Sequence, residues 1–214
     1  MYDFALVGGG LQNGLVALAV RAHHPGARIV MIERGDAPGG NHTWCFHDEQ
    51  PAWVEPLVTV RWAGYDVAFP AYRRELAAAY ACVTSERFAS VVTEACEVRA
   101  RTTAISVGAD HVLVRAPDGA VSEVRADRVI DARGPDRADT GACGWQKFVG
   151  QEVRLSAPHG LARPMLMDAT VEQRDGFRFL YVLPLTGDRL LVEDTYFSDG
   201  SHLDAAGSRA AIAE

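Results

Sequence analysis

The sequence is almost without lysine. Lys147 is the one lysine in 214 residues, and arginine carries the rest of the positive charge. No basic cluster occurs and the formal net charge is -7, so no nucleic-acid partner is expected. No apolar run approaches the length that spans a bilayer. Cysteine is scarce and scattered. Cys45, Cys82, Cys96 and Cys143 form no C-x-x-C pair, which fits reduced thiols in a cytosolic protein. Cys45 and its neighbours His42 and His47 are metal-ligating residue types, but their spacing matches no structural zinc pattern, and no metal site is expected. A secretory leader is not expected, because the chain opens directly on an apolar strand pattern. What remains is an ordinary globular composition, 48% hydrophobic and 23% charged, in a length that allows one or two domains.

The most informative stretch is Ala5-Leu-Val-Gly-Gly-Gly-Leu-Gln-Asn-Gly14. A strand runs into three glycines and then into a helix marked by Leu11, Leu15 and Leu18 at helical spacing. Strand, glycine turn and helix N-terminus together hold a dinucleotide pyrophosphate. Gly8 makes the tight turn, Gly9 continues it, and Gly10 leaves room for the backbone to approach the phosphates. Against G-x-G-x-x-G the third glycine is replaced by Asn13, and Gly14 stands one place late. Pro25-Gly26 ends the helix, and Arg28 to Glu33 reads as a second strand closing on an acid. Glu33 lies 25 residues after Gly8, close to where a ribose-binding carboxylate belongs.

The rest of the chain reads mostly as strands. Residues 34–48, with two glycines after Pro38 and with His42, Trp44, Phe46 and His47, are expected to be a loop that folds over a cofactor or walls a pocket. Residues 53–69 read as a hairpin turning at Ala63-Gly64, and 70–81 as a helix. Arg73 and Arg74 would then sit in its first turns, where the dipole disfavours cations. Either a carboxylate or phosphate partner or plain solvation answers this. Residues 105–125 read as a three-stranded meander with a turn at Pro117-Asp118-Gly119. Residues 128–135 read as a return strand that places Asp131 to Gly134 at the carboxyl ends of a parallel sheet. Further strands follow at 152–155, 177–183 and 190–197, then an Ala-rich helix that has barely begun at Glu214, so the chain is expected to be truncated. Glu193 and Asp194 interrupt the last strand, and adjacent strand residues face opposite ways. One acid must face the apolar side, where burial raises its pKa and lets it hold a proton. An edge strand with both acids solvated, or a buried acid neutralised by an arginine, accounts equally for the pattern.

Val7-Gly-Gly-Gly-Leu-Gln-Asn-Gly14, Gly39-Gly-Asn-His-Thr-Trp44, Asp131-Ala-Arg-Gly-Pro135, Gln146-Lys-Phe-Val-Gly-Gln151, Pro164-Met-Leu-Met-Asp168 and Val192-Glu-Asp-Thr-Tyr196 resemble the bacterial lycopene β-cyclase family, a carotenoid-pathway branch of the FAD-dependent oxidoreductases. The resemblance implies an α/β fold: a Rossmann-like FAD-binding domain of the flavoprotein hydroxylase type with an inserted antiparallel β substrate domain. It divides the chain into an FAD-binding βαβ segment at 1–70, a helix, meander and return strand at 71–135, and a β-rich substrate portion at 136–214. The family chain is much longer, so this would be its N-terminal part. Gly8, Gly9, Gly10, Leu11, Asn13, Gly14, Glu33, Asp131 and Gly134 would bind FAD, used in the reduced form with NAD(P)H as reductant. Glu193, with Asp194 as second candidate, would carry acid–base cyclisation of lycopene ends to the β-rings of γ-carotene and β-carotene. A polyene substrate implies work at the cytoplasmic surface of the inner membrane. A flavin hydroxylase of the same fold acting on a hydrophobic substrate, or an inactive fragment, are the alternatives. Gly187-Asp188, the late Gly-Asp pair, lies between two strands and lacks the helix-opening context of such hydroxylases.

Overall fold

The computed structural model describes residues 1–47, 49–134 and 143–213; Asp48 of the 34–48 loop, Pro135 of the Asp131–Pro135 motif, and Glu214 lie outside them. In chain order the elements are β1 (Tyr2–Val7), α1 (Leu11–His23), β2 (Ile29–Ile32), β3 (Thr43–His47), a 3-10 turn (Ala52–Leu57), β4 (Val60–Trp62), β5 (Tyr65–Phe69), β6 (Tyr72–Leu76), β7 (Tyr80–Thr84), α2 (Ser85–Ala95) and β8 (Glu97–Arg99). They continue as β9 (Thr103–Val107), β10 (His111–Arg115), β11 (Val121–Asp131), β12 (Trp145–Arg154), β13 (Met165–Asp168), β14 (Phe177–Thr186), β15 (Arg189–Ser198) and α3 (Ala205–Ala213). The chain divides into two compact units, Met1–Thr59 with Cys82–Asp136, and Val60–Ala81 with Arg137–Glu214.

The first unit is built on a six-stranded sheet in the order β8-β2-β1-β11-β10-β9. β8, β2, β1 and β11 run parallel, as expected where helical crossovers cover the sheet. Strand alternation divides the core. Leu6 and Met31 pack on the helix side with Ala17, Leu18, Phe88 and Val92. Ala5, Val7, Val30 and Ile32 face the other side with Val112, Val114 and Val124 of the meander. The third meander strand and the return strand are one element. β11 pairs antiparallel with β10 over Val121–Arg125 and then parallel with β1 over Ala126–Asp131. The Pro117-Asp118-Gly119 turn holds, with Gly119 at φ 86° and the Asp118 carboxylate accepting from Ala120 N at 2.9 Å.

Three expectations are corrected. Residues 70–81 are not a helix. Tyr72–Leu76 pair antiparallel with β5, Phe69 opposite Tyr72 and Val67 opposite Arg74, so long-range pairing overrides the helix preference of the alanines. Arg73 and Arg74 are therefore exposed strand residues, and the dipole argument for an anionic partner falls away. The 53–69 hairpin is displaced: β5 pairs with β6 and, in parallel, with β13. Those pairings take 60–81 into the second unit, whereas a boundary at 70 would split them. Finally, 34–48 is not all loop, since Thr43–His47 form β3. A helix that the sequence reading missed follows at α2. Thr84 caps it by accepting from Arg87 N, Glu86 sits in its first turn, and Phe88, Val91, Val92 and Ala95 form its buried stripe.

The second unit carries a sheet in the order β12-β15-β14-β13-β5-β6, antiparallel except at β13–β5. α3 packs against β12 and β15. Lys147 of β12 is buried, and its ammonium donates to the Asp175 carboxylate at 2.7 Å, to Gly200 O at 2.9 Å and to His202 O. That tethers the segment leading into α3.

Gly14 supplies the close approach of α1 and α2. A Cβ there would lie 2.1 Å from Phe88 Cζ. Gly14→Ala is expected to lower the unfolding free energy by about 1–3 kcal/mol through overpacking, read from the urea midpoint. An unchanged midpoint would contradict this packing.

Candidate functional site

In the first unit a cavity of about 560 Å³ opens over the glycine turn, a size ordinary for a small-molecule site. Gly8, Gly9, Gly10 and Leu11 form one wall, and Glu33 with Arg34 another. The glycines have distinct reasons. Gly8 has φ 94°, and a Cβ would press on Ala132 O at 3.2 Å. A Cβ on Gly9 would lie 2.7 Å from the Glu33 carboxylate. A Cβ on Gly10 would meet no protein atom within 4 Å, so packing within the chain does not demand glycine there. Gly10 is also the N-cap of α1, makes no side-chain cap, and is followed by no acid in the first turn. The N–H groups that open α1 are thus left for an anion.

Glu33 braces this turn. Its carboxylate accepts from Gly9 N at 2.6 Å and from Gly35 N at 2.5 Å. Asn13, in the place of the third glycine, is fully buried beneath the turn, and its amide donates to Val7 O at 2.9 Å and Gly8 O at 2.8 Å. Asn13 and Gly14 therefore lie under the cavity rather than on its wall. At the end of β11, Ala132 and Arg133 line the cavity. Asp131 pairs with Arg133 at 2.6 Å, which holds its carboxyl below the ordinary carboxylate range, and Gly134 is exposed at φ 84°.

The aromatic loop contributes the remaining wall through Gly39, Gly40, His42 and Trp44. Gly39 N donates to Gly9 O at 2.8 Å, tying the loop to the glycine turn. His42 contacts Gly39 O through Nδ1 at 2.8 Å and stacks on Trp44 at 5.5 Å, and Trp44 tilts against Phe88 at 4.8 Å. Sequence reading missed Thr102, Thr103 and Ala104, which also line the cavity. Thr102 N donates to Glu33 O at 2.8 Å, a long-range pairing that no local pattern announces.

In the second unit, β15 sets its two acids on opposite faces. Asp194 is fully buried, accepting from Arg178 Nε at 2.7 Å and from Tyr196 OH at 2.8 Å. Arg178 is itself buried and also donates to Glu172 O at 3.1 Å, so the pair is satisfied on both sides. Glu193 faces the other way, opposite Tyr181 on β14 and Gly150 on β12. A Cβ on Gly150 would lie 3.3 Å from Glu193 Cγ, so the acid's side chain lies over the glycine. Burial pushes the Glu193 carboxyl above its ordinary value of 4.5.

The model of the lycopene cyclase protein family matches residues 3–214. The chain belongs to the lycopene cyclase family. It is 44% identical over 220 residues to a lycopene beta-cyclase of Pantoea ananas, covering all of this chain and 56% of that protein. It is 39% identical over 212 residues to the lycopene beta-cyclase of Paracoccus sp. (strain N81106 / MBIC 01143), covering 95% of this chain and 53% of that one. The chain thus spans about half the length of the curated lycopene cyclases it matches. Among solved structures it is similar to p-nitrophenol 4-monooxygenase PnpA from Pseudomonas putida DLL-E4, with TM-score 0.67, 17% identity, and coverage of 99% of this chain and 61% of that one. It is also similar to the myxobacterial chondrochloren halogenase CndH, described as a variant of FAD-dependent halogenases, with TM-score 0.63, 17% identity, and coverage of 99% and 56%. These likenesses give the fold: a unit with a parallel α/β sheet and a unit with a largely antiparallel sheet. Among the described residues no helix is long and apolar enough to cross a membrane.

The raised pKa of Glu193 has a sign that can be checked. The folded state favours the protonated acid, so this contribution to stability is full below the unfolded-state carboxylate pKa and is lost as pH rises through the raised folded value. Glu193→Gln is expected to match the parent protein in urea unfolding under acidic conditions and to exceed it at neutral pH. A difference that does not change with pH would contradict the desolvated acid.

Proposed function

We propose that the full-length protein is a lycopene β-cyclase that uses Glu193 as its general acid. The observation that carries this reading is the Glu193 carboxyl: half-buried on a largely apolar sheet face, its pKa raised, and standing apart from the Arg178–Asp194 pair. An acid whose proton is held more firmly by burial matches what protonation of a hydrocarbon double bond requires. Two carboxylates on one strand thus take different roles. Glu193 holds a proton for delivery, and Asp194 anchors Arg178 and Tyr196.

The atoms balance without oxidation. The Glu193 proton adds to a terminal alkene carbon of lycopene, leaving a tertiary carbocation. The π pair of the next double bond closes a six-membered ring. The Glu193 carboxylate takes back a ring proton, restoring both the alkene and the acid. The net reaction is an isomerisation that forms the β-ring, and repetition at the second end converts γ-carotene to β-carotene.

The glycine turn fits FAD, because the N–H groups of α1 stay uncapped and Gly10 faces open space in the cavity. Gly8, Gly9, Gly10 and Leu11 would hold the pyrophosphate, with Glu33 at the ribose side. Held there in its reduced form, with NAD(P)H as the reductant, FAD would supply negative charge. The family relatives named as lycopene beta-cyclases support the substrate class, and the FAD-dependent halogenase likeness supports the cofactor. Because lycopene partitions into lipid, the working location is the cytoplasmic surface of the inner membrane, with peripheral attachment.

In the full-length protein, Glu193→Gln is expected to abolish β-ring formation, seen by carotenoid chromatography, while FAD content stays at the parent level. Retained cyclisation would overturn the acid assignment. Gly10→Val is expected to remove FAD absorbance while leaving the unfolding free energy within about 0.5 kcal/mol of the FAD-free parent, since its side chain enters the cavity and not the core. A fully yellow Gly10→Val protein would overturn the phosphate-loop reading.

A further inference from the structure

The face of the second sheet that carries Glu193 is paved with aromatic rings. Directly opposed residues in an antiparallel sheet share a face. On β14, Tyr181 stands opposite Glu193, Phe179 opposite Thr195 and Phe177 opposite Phe197. On β12, Gly150 stands opposite Glu193 and Phe148 opposite Thr195. Phe177 stacks on Phe197 at 6.3 Å and on Phe69 of β5 at 6.4 Å, and Phe179 tilts against Phe177 and Phe197 at 5.7 and 5.6 Å. Phe148, Phe177 and Phe197 are 49%, 36% and 42% exposed, so the outer rings are uncovered, whereas Phe179 and Thr195 are buried among their neighbours. The opposite face is already used: it holds the Arg178–Asp194 pair and the Lys147 tether.

Two further features select the chemistry of an occupant. Along β12, β15 and β14, from Glu193 toward the Phe177–Phe197 end, the other polar groups on this face are Thr195, Gln146 and the Tyr181 hydroxyl, which lies 3.2 Å from the Tyr80 hydroxyl. The occupant is therefore a hydrocarbon rather than a charged ligand or a polar peptide. Thr195 Oγ1 is buried without a hydrogen-bond partner among the described residues. A hydroxyl oxygen with spare lone pairs on an apolar face is costly by itself and complementary to positive charge.

We propose that this face is the cyclisation floor: the isoprenoid chain lies along the Phe69–Phe177–Phe197 row with its terminal double bond at Glu193, and the Phe179 and Tyr181 rings and Thr195 Oγ1 stabilise the carbocation. The proposal rests on the cyclase reading and names where its substrate sits. Ring faces attract cations most when water is excluded, and an apolar row excludes it along the polyene. The outer rings Phe177 and Phe197 then serve binding, whereas Phe179, diagonal to Glu193, serves the charged transition state.

The test uses the full-length FAD-loaded protein and lycopene in phosphatidylglycerol vesicles. Phe177→Leu and Phe197→Leu keep apolar bulk on exposed positions and are expected to raise the KM for lycopene about five-fold with kcat little changed. Phe179→Leu is expected to lower kcat about ten-fold at nearly constant KM, and Phe179→Tyr, which keeps the ring, to restore it. Unfolding temperature and flavin content should stay at parent values in the Phe177 and Phe197 variants. Parent-like kcat and KM in all three leucine variants, with Glu193→Gln inactive, would overturn this proposal and leave the cyclase reading standing. A lowered unfolding temperature with parent kinetics would also overturn it, by showing that the remaining length of the protein covers the face. Retained cyclisation in Glu193→Gln would strike the cyclase reading itself.

Discussion

The buried pair between Arg178 and Asp194 fixes what the second sheet can do. Both partners are buried, Asp194 completely, and each has a further hydrogen bond, Arg178 to Glu172 O and Asp194 from Tyr196 OH. A buried pair with satisfied partners adds modest net stability, but breaking it by removing one side costs about 3–5 kcal/mol. That asymmetry locks register. A slip of one residue on β15 would carry Asp194 to the aromatic face and strand Arg178 without its carboxylate. Glu193 therefore faces away because Asp194 cannot. The acid whose pKa burial raises is placed by the acid that holds an arginine.

The first unit meets a comparable demand with hydrogen bonds between side chains and backbone. The glycine turn must bend tightly, stay open to an anion, and still be rigid. Gly8 supplies the positive φ, and Gly10 supplies the opening. Rigidity comes from side chains elsewhere. The Asn13 amide draws in the carbonyls of Val7 and Gly8, and the Glu33 carboxylate draws in the amides of Gly9 and Gly35. The substitution of asparagine for the third glycine thus replaces a packing contact by two hydrogen bonds, and Gly14 takes over the close approach to the neighbouring helix.

Much of this was legible in the sequence, for identifiable reasons. The β1–α1–β2 unit announces itself because its periodicity, glycines and terminal acid are all local. The opposed faces of Glu193 and Asp194 follow from strand alternation alone. Which acid would be neutralised did not, because Arg178 lies on another strand and its choice depends on the register of β14 against β15. The misreading of 70–81 has the same origin. Its alanines favour a helix, and the pairing of Tyr72–Leu76 with Tyr65–Phe69 wins because it extends a sheet. α2 was the avoidable omission: Thr84, Glu86 and the Phe88, Val91, Val92, Ala95 stripe were all in view. The cavity walls given by Thr102 and Thr103 were not, since only the folded chain brings β9 beside Glu33.

On the proposed reading, the same sheet accounts for how a fold shared with a monooxygenase and a halogenase could host chemistry without net redox. In each unit a single choice decides the outcome. The glycine turn demands a cofactor with an anionic backbone and is indifferent to the reaction that follows. The reaction is set by what the second sheet offers a substrate. A polar face would favour hydroxylated or charged substrates, whereas rings around one desolvated acid favour protonation of a hydrocarbon. Gly150 matters here as much as Glu193. A side chain at that position would crowd the acid from below, and glycine leaves the carboxyl lying flat over the strand beside Tyr181. Burial raises the carboxyl's pKa while the side chain stays half-exposed, a combination that suits the proposed olefin protonation.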